Sequence, residues 1–327
     1  MIRFGVIGTN WITEAFLQAA SEIKDFKLTA VYSRTEDRAK EFAEKHGATL
    51  TFTSVEEMGK SNEIDAVYIA SPNSFHSTHA IILMNHGKHV LCEKPIASNT
   101  SELQEMISVA KKNNVLLMEA LKSGFLPSYR SIRENLYKIG KVRRYFASYC
   151  QYSSRYDAYK NGTVLNAFNP AFSNGSLMDI GIYCVYPMIQ LFGRPQKVKA
   201  SGLMLESGVD GEGSILAHYE DLEGTVIYSK ITNSYIQSEI QGEEGSILID
   251  KISSPEKVEI HYRDGRVEDI SQPLDHDSMY YEAKEFIELL QSETYESSIN
   301  SYENSLAVMD VLDEARRQMG LVYPADK

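Results

Sequence analysis

Cysteine is scarce in this chain. Cys92, Cys150 and Cys184 are an odd set without paired spacing, which excludes a disulfide framework and a cysteine-rich zinc site and points to a reducing, cytoplasmic compartment. Basic residues are the minority, 33 Lys and Arg against 45 Asp and Glu, and a formal charge of −12 argues against a nucleic-acid partner. No run of about 18 or more apolar residues is present, so no membrane partner is expected. Met1-Ile2-Arg3-Phe4-Gly5 enters a strand pattern with neither the apolar core nor the cleavage site of a signal peptide. Glycine and proline, 20 and nine residues, are too few for a collagenous or low-complexity chain. What remains, 43% hydrophobic and 24% charged, is an ordinary globular composition, and 327 residues exceed one comfortable core, so two domains are expected.

The first third alternates two kinds of segment. Short apolar or β-branched runs, at 2–7, 28–32, 66–70, 90–92 and 115–118, are separated by stretches of helical spacing, the pattern of βαβ units in a parallel sheet covered on both faces. In the stretch from Glu36 to His46, Ala39, Phe42 and Ala43 share one face and Gly47 stands as the C′ residue. Beyond residue 121 the rhythm changes to alternating strands at 215–219, 225–228 and 259–262, with Glu223-Gly224, Glu244-Gly245 and Asp264-Gly265 read as tight turns. Two helices close the chain, one with Met279, Ala283, Phe286, Ile287 and Leu290 on a face, the other with Leu306, Met309, Leu312 and Met319. The expected architecture is α/β: an N-terminal Rossmann domain, a doubly wound parallel sheet over residues 1–121, then an α+β domain over 122–327 containing an open, mostly antiparallel sheet.

Strand one runs into Gly8-Thr9-Asn10-Trp11-Ile12-Thr13. Set against G-x-G-x-x-G/A, only the first glycine is kept. Asn10 tolerates positive φ better than other non-glycine residues, and Thr13 is small enough for a helix to pack on a strand, so the helix N-terminus could still receive a pyrophosphate. An ordinary β-to-α turn is the alternative. Strand two ends in Val31-Tyr32-Ser33-Arg34, with Arg38 one turn on, where an NAD enzyme would show an acid for the ribose 2′-hydroxyl. Ser33, Arg34 and Arg38 favour NADP(H), with NAD(H) possible; Asp25 precedes strand two and falls at the wrong end of the sheet.

Strand five ends in Cys92-Glu93-Lys94-Pro95. Ligands of an open parallel sheet bind outside the carboxyl ends of its strands, so Lys94 falls where a nicotinamide and its substrate would lie. A half-buried lysine beside an oxidised nicotinamide would lose its proton more easily and could exchange one with a substrate hydroxyl.

These segments, with Tyr68-Ile69-Ala70-Ser71-Pro72-Asn73, His76 and His79, Met118-Glu119-Ala120 and Asn174-Gly175-Ser176-Leu177-Met178-Asp179-Ile180-Gly181-Ile182-Tyr183, resemble the glucose-fructose oxidoreductase/inositol dehydrogenase/MocA family in family order. The resemblance implies hydride transfer between NAD(P) and a hydroxyl of a small, carbohydrate-like substrate, and a homo-oligomer, dimer or tetramer, assembled through the open sheet. It implies Lys94 as the catalytic lysine, with Pro95 often after a cis bond, and a cofactor lined by Gly8, Thr9, Asn10, Trp11, Ile12, Ser71, Pro72, Asn73, His76 and Glu93. Tyr183 at the end of the later motif is similar to the dihydrodiol dehydrogenase branch, where tyrosine donates the proton and lysine stabilises the phenolate. Asp179 and Tyr183, four apart, would share a helix face. Many relatives carry arginine where this chain has Lys122 and its neighbours, and another where it has Asn166, so these two are the substrate-side candidates and strongly acidic substrates are disfavoured.

No metal site is expected, because His76 and His79 lack a third ligand. The acidic stretches at 243–244 and 285–296 read as solvated faces. The reading is an NAD(P)-dependent oxidoreductase acting on a secondary alcohol or carbonyl of a sugar, polyol or cyclic diol. Its rivals are a non-catalytic dinucleotide-binding regulator and an NAD-dependent glycosidase.

Overall fold

The computed structural model describes all residues from Met1 to Lys327. By compactness the chain falls into two units: Met1–Lys122 with His276–Tyr302, and Ser123–Asp275 with Glu303–Lys327.

The first unit is built of β1 (Ile2–Ile7), α1 (Trp11–Ala20), β2 (Phe26–Tyr32), α2 (Glu36–His46), β3 (Leu50–Phe52), α3 (Val55–Lys60), β4 (Ala66–Ile69), α4 (His76–Asn85), β5 (His89–Glu93), α5 (Thr100–Asn113) and β6 (Leu117–Ala120). Its strands form one parallel sheet in the order β3-β2-β1-β4-β5-β6, a doubly wound Rossmann arrangement whose order reverses beside β1. Central strands buried on both faces explain the unbroken apolar runs: Ala66, Val67, Tyr68 and Ile69 are all fully buried. β3, only three half-buried residues, carries too little apolar pattern to be legible in the sequence. Asp25 closes the opposite end of the sheet, its carbonyl accepting the Ile2 N–H at 2.6 Å.

In the second unit come α6 (Pro127–Asn135), β7 (Val142–Cys150), α7 (Ser154–Lys160), a π-helical turn (Leu177–Gly181) running into α8 (Ile182–Phe192), and seven strands: β8 (Lys197–Met204), β9 (Asp210–His218), β10 (Glu223–Ser229), β11 (Ser238–Gly242), β12 (Gly245–Ile249), β13 (Val258–Tyr262) and β14 (Val267–Asp269). With β7 they form an eight-stranded sheet, β14-β13-β12-β11-β7-β10-β9-β8, antiparallel except for β7 beside β10. One face alternates Ile215, Ala217, Val226, Tyr228, Tyr145 and Ile240 into the core; Leu216, Thr225 and Phe146 stand on the other. Of the three tight turns expected, only Asp264-Gly265 is one, Gly265 having φ +89°. Glu223-Gly224 opens β10 and Gly245 opens β12, the chain reversing one to three residues earlier. Within Pro170–Phe192 an 18-residue window has a mean hydropathy of 1.2 and is 72% buried, as in a core helix.

Two helices end the chain, α9 (Ser278–Gln291) and α10 (Tyr302–Met319). α9 belongs with the first unit, where Phe286 meets Phe4 at 5.8 Å and Gln291 donates to Asp25 at 3.0 Å.

Candidate active site

At the carboxyl end of the parallel sheet, the β1–α1 turn is shaped by Gly8 and Asn10. Gly8 has φ +107°, and a Cβ there would lie 2.6 Å from the Ala70 carbonyl oxygen, so no other residue fits. Asn10, expected to tolerate positive φ, instead has φ −108° and serves as the N-cap of α1. Its Oδ1 accepts from the N–H groups of Ile12 and Thr13 at 3.1 and 3.2 Å, and its Nδ2 donates to Ala70 O at 3.0 Å, tying the turn to the end of β4. The backbone N–H groups of Thr9, Asn10 and Trp11 make no hydrogen bond within the chain. Arg38, from α2, donates to Thr9 O at 2.8 Å and to Thr9 Oγ1 at 3.2 Å. Unmatched donors, a helix N-terminus and a guanidinium on one turn are a donor set that fits the phosphates of a dinucleotide. Ser33 pairs through its backbone with Phe52 O, and Arg34 is exposed beside it.

After β4, the Ser71 hydroxyl meets His79 Nδ1 at 3.1 Å, and a short 3₁₀ turn starts at Asn73 after Pro72. Burial pushes the His79 imidazole down to about 4, so it is neutral at physiological pH. His76 is fully buried, with Nε2 2.8 Å from Ser71 O and Nδ1 2.9 Å from Pro95 O. Two carbonyl neighbours favour the charged ring, but burial outweighs them and lowers its pKa. The neutral ring donates to one carbonyl and clasps the β4 loop to the β5 loop.

That second loop carries Glu93, Lys94 and Pro95, with a cis Lys94–Pro95 bond. Glu93 is buried and accepts the Tyr68 hydroxyl at 2.6 Å and the Lys94 N–H at 3.2 Å. Burial raises its carboxyl above the ordinary range, against the pull of Lys94. The loop is held from behind, Ile96 N–H donating to Glu119 and Ser98 N–H to Glu102. Lys122 donates to Ser278 at 2.8 Å on α9, and its charge acts on Glu93 and on Glu282.

The second unit supplies the other candidates. Gly175, at φ +150°, lies where a Cβ would come within 2.2 Å of Asp210 Oδ1; the Asp210 Oδ2 accepts the Leu177 N–H at 2.7 Å and caps the turn that follows. Asp179 sits in the π-helical turn and Tyr183 in the first turn of α8, so the uniform α-helix expected over this stretch is corrected. The extra residue per turn is accommodated by Gly181, which packs directly on the Tyr228 ring. Asp179 is ion-paired with Lys230, and Tyr183 packs edge-on against Tyr149 with ring centroids 5.8 Å apart. Tyr156 and Tyr159 from α7 flank the buried Phe168 at 5.7 and 5.6 Å. Asn166 is exposed and opens a 3₁₀ turn two residues before it. No three His, Cys, Asp or Glu side chains cluster as a metal site would require.

Asp210, Lys230 and Glu282 were not singled out from sequence. Asp210 and Lys230 stand singly at strand ends, with no local pattern to mark them. For Glu282 a signal exists: it occupies the apolar face of α9, between Met279 and Phe286.

A doubly wound sheet with an anion-ready first turn and a lysine at the carboxyl end of β5, in a chain with a second unit built on an open sheet, defines a two-domain, dinucleotide-dependent oxidoreductase. Residues 2–121 match the oxidoreductase family's NAD-binding Rossmann fold, and residues 135–248 the GFO/IDH/MocA C-terminal domain. The chain belongs to the GFO/IDH/MocA family. It is 58% identical over 327 residues to scyllo-inositol 2-dehydrogenase (NADP(+)) IolU of Bacillus subtilis, covering 100% of both chains. It is 32% identical to trans-1,2-dihydrobenzene-1,2-diol dehydrogenase of Xenopus tropicalis, over 98% of this chain and 99% of that one. Among solved structures, KijD10, a 3-ketoreductase from Actinomadura kijaniata in complex with NADP and TDP-benzene, shares the fold, with a TM-score of 0.86, 24% identity, and coverage of 97% and 98%.

Proposed function

We propose that this protein is an NADP(H)-preferring dehydrogenase that interconverts a secondary alcohol and its ketone on a cyclic polyol, with scyllo-inositol the first substrate to try. The observation that carries the reading is the bridge from Arg38 to Thr9, which fixes a guanidinium on the β1–α1 turn of a chain 58% identical to an NADP(+)-dependent scyllo-inositol 2-dehydrogenase. A 2′-phosphate is matched by the charge and forked geometry of arginine, Arg34 standing exposed nearby. The remaining cofactor contacts belong to Gly8, Thr9, Asn10, Trp11, Ile12, Ser33, Ser71, Pro72, Asn73 and Glu93, with His76 holding the loops that present them.

The bound nicotinamide supplies or accepts the hydride. Lys94 and Tyr183 handle the hydroxyl proton, Tyr183 as donor and acceptor and Lys94 as the cation that favours its ionised form; Asp179 orients the substrate hydroxyl. Lys122 and Asn166 are the substrate-side residues outside this set. The enzyme works in the cytoplasm, in keeping with three free thiols, and as a homo-oligomer that covers the open face of the eight-stranded sheet.

The test is NADPH formation from scyllo-inositol and NADP(+), compared with NADH formation from NAD(+). Lys94→Ala and Tyr183→Phe should each lose about a hundredfold or more in kcat with an unchanged circular dichroism spectrum. Near-normal rates in both variants would contradict the assignment.

A further inference from the structure

Lys230 follows directly on β10, and its side chain is only 5% exposed, a setting in which a cation persists only if it is paired. Its partner is Asp179, whose carboxylate is 27% exposed. The ammonium also lies 5.6 Å from the centroid of the buried Phe168 ring, and its own backbone N–H is tied to Gly211 O at 3.0 Å. The pair therefore has a direction: the cation is enclosed and the carboxylate is presented.

The residue it grips is not in ordinary helix. The turn Leu177–Gly181 is π-helical, a rare geometry that occurs mostly as single turns and recurs at functional sites. Three neighbours hold this one. Asp210, opening β9, takes the Leu177 N–H at its start; the Tyr228 ring of β10 fills the space beside Gly181 at its end; Lys230 takes Asp179 in its middle.

We propose that Lys230 is a positioning residue of this dehydrogenase, which fixes the Asp179 carboxylate in its ionised form and in one orientation, so that Asp179 and Tyr183 present a set acceptor and donor to a substrate hydroxyl. This rests on the functional reading above. Lys230 itself, being enclosed, does not contact substrate. The titratable and charged groups on the elements packed against the turn are Arg143, Arg144, Tyr145, Tyr149 and Cys150 of β7, Asp210, Glu212 and His218 of β9, Glu223 and Tyr228 of β10, and Tyr183, Cys184 and Tyr186 of α8. Arg143 and Arg144 lie toward the other end of β7, where Arg143 pairs with Asp221 and Glu243 and Arg144 with Glu223, so Lys230 is the cation that pairs with Asp179.

The experiment measures kcat and KM against pH, and thermal melting, for the full-length enzyme and for Lys230→Met, Lys230→Arg, Asp179→Asn and the Lys230→Met/Asp179→Asn double variant. Lys230→Met should lower kcat by about tenfold or more while the KM for NADP(+) stays within about twofold. Its acidic limb in kcat should move up by about one pH unit or more, the effect of losing a close counter-charge. Lys230→Arg should restore most of the rate and the position of the limb. In the Asp179→Asn background, Lys230→Met should cost nothing further, because its target is gone. An unmoved limb in Lys230→Met, or losses that add in the double variant, would overturn the proposal. If Lys230→Met alone fails to fold, the comparison of Asp179→Asn with the double variant decides by the same criterion. Absence of turnover by the unmodified enzyme with either cofactor would remove the functional reading, and the proposal with it; turnover with indifferent Lys230 variants would remove the proposal alone.

Discussion

Glu282 is the residue with the most to lose from ionisation. It is fully buried on α9, neither carboxylate oxygen has a hydrogen-bond partner in the chain, and Glu93 is close enough to add like-charge repulsion. Burial first and Glu93 second push its carboxyl well above the ordinary 4.5, with Lys122 pulling the other way. A folded-state pKa above the unfolded value means that folding holds a proton the unfolded chain releases. The stability tied to that proton is complete below about pH 4.5 and is lost as pH rises through the folded-state value. Glu282→Gln removes the titration. The variant's melting temperature, relative to the unmodified protein, should therefore climb steadily from about pH 5 to about pH 8. Melting curves that stay parallel over that range would show that Glu282 carries no such proton. In the acidic stretch that follows, read as a solvated face, Glu288, Glu293 and Glu296 are exposed, whereas Glu285 departs from that reading: it is half-buried and accepts the Ser297 hydroxyl at 3.1 Å.

At the scale of elements, the turn before α8 is where local chemistry is most tightly set. Gly175 is required twice over, by φ +150° and by the 2.2 Å that would separate a Cβ from Asp210 Oδ1. Gly175→Ala should lower stability by about 2 kcal/mol or more, read from urea unfolding, by displacing the carboxylate that caps Leu177. A change below about 0.5 kcal/mol would mean that the turn relaxes freely. The glycine was legible in the sequence as part of a motif, whereas its reason was not: Asp210 is 35 residues away and meets it only through the sheet. The same division runs through the other elements. Strands of the parallel sheet were legible because both faces are buried and the apolar run is continuous. The π-helical turn was not, because apolar spacing over five residues does not distinguish it from α-helix. Asn10 was recognised as the departure from a glycine motif, but its job as an N-cap reaching across to Ala70 depends on β4, 60 residues on.

For the whole molecule, charge and composition argued against a nucleic-acid partner and suggested two domains, and the order of motifs led to the family. Sequence rhythm could not show that α9 packs on the first unit, because an amphipathic helix names the face it buries and not the partner. The Arg38 pairing was likewise foreshadowed only by position: the sequence placed a cation after β2, and the fold turned it onto Thr9. Trp11, the single tryptophan, begins α1 at the β1–α1 turn and is 67% exposed, so its emission reports that turn alone. Reduced nicotinamide absorbs where tryptophan emits, and a bound cofactor should quench it. The most direct measurement is a titration of Trp11 emission with NADPH and, separately, NADH, repeated with Arg38→Ala. The account predicts saturable quenching by both, tighter for NADPH, with the preference lost in Arg38→Ala. Tighter binding of NADH, or no quenching by either cofactor with none detected by calorimetry, would contradict it.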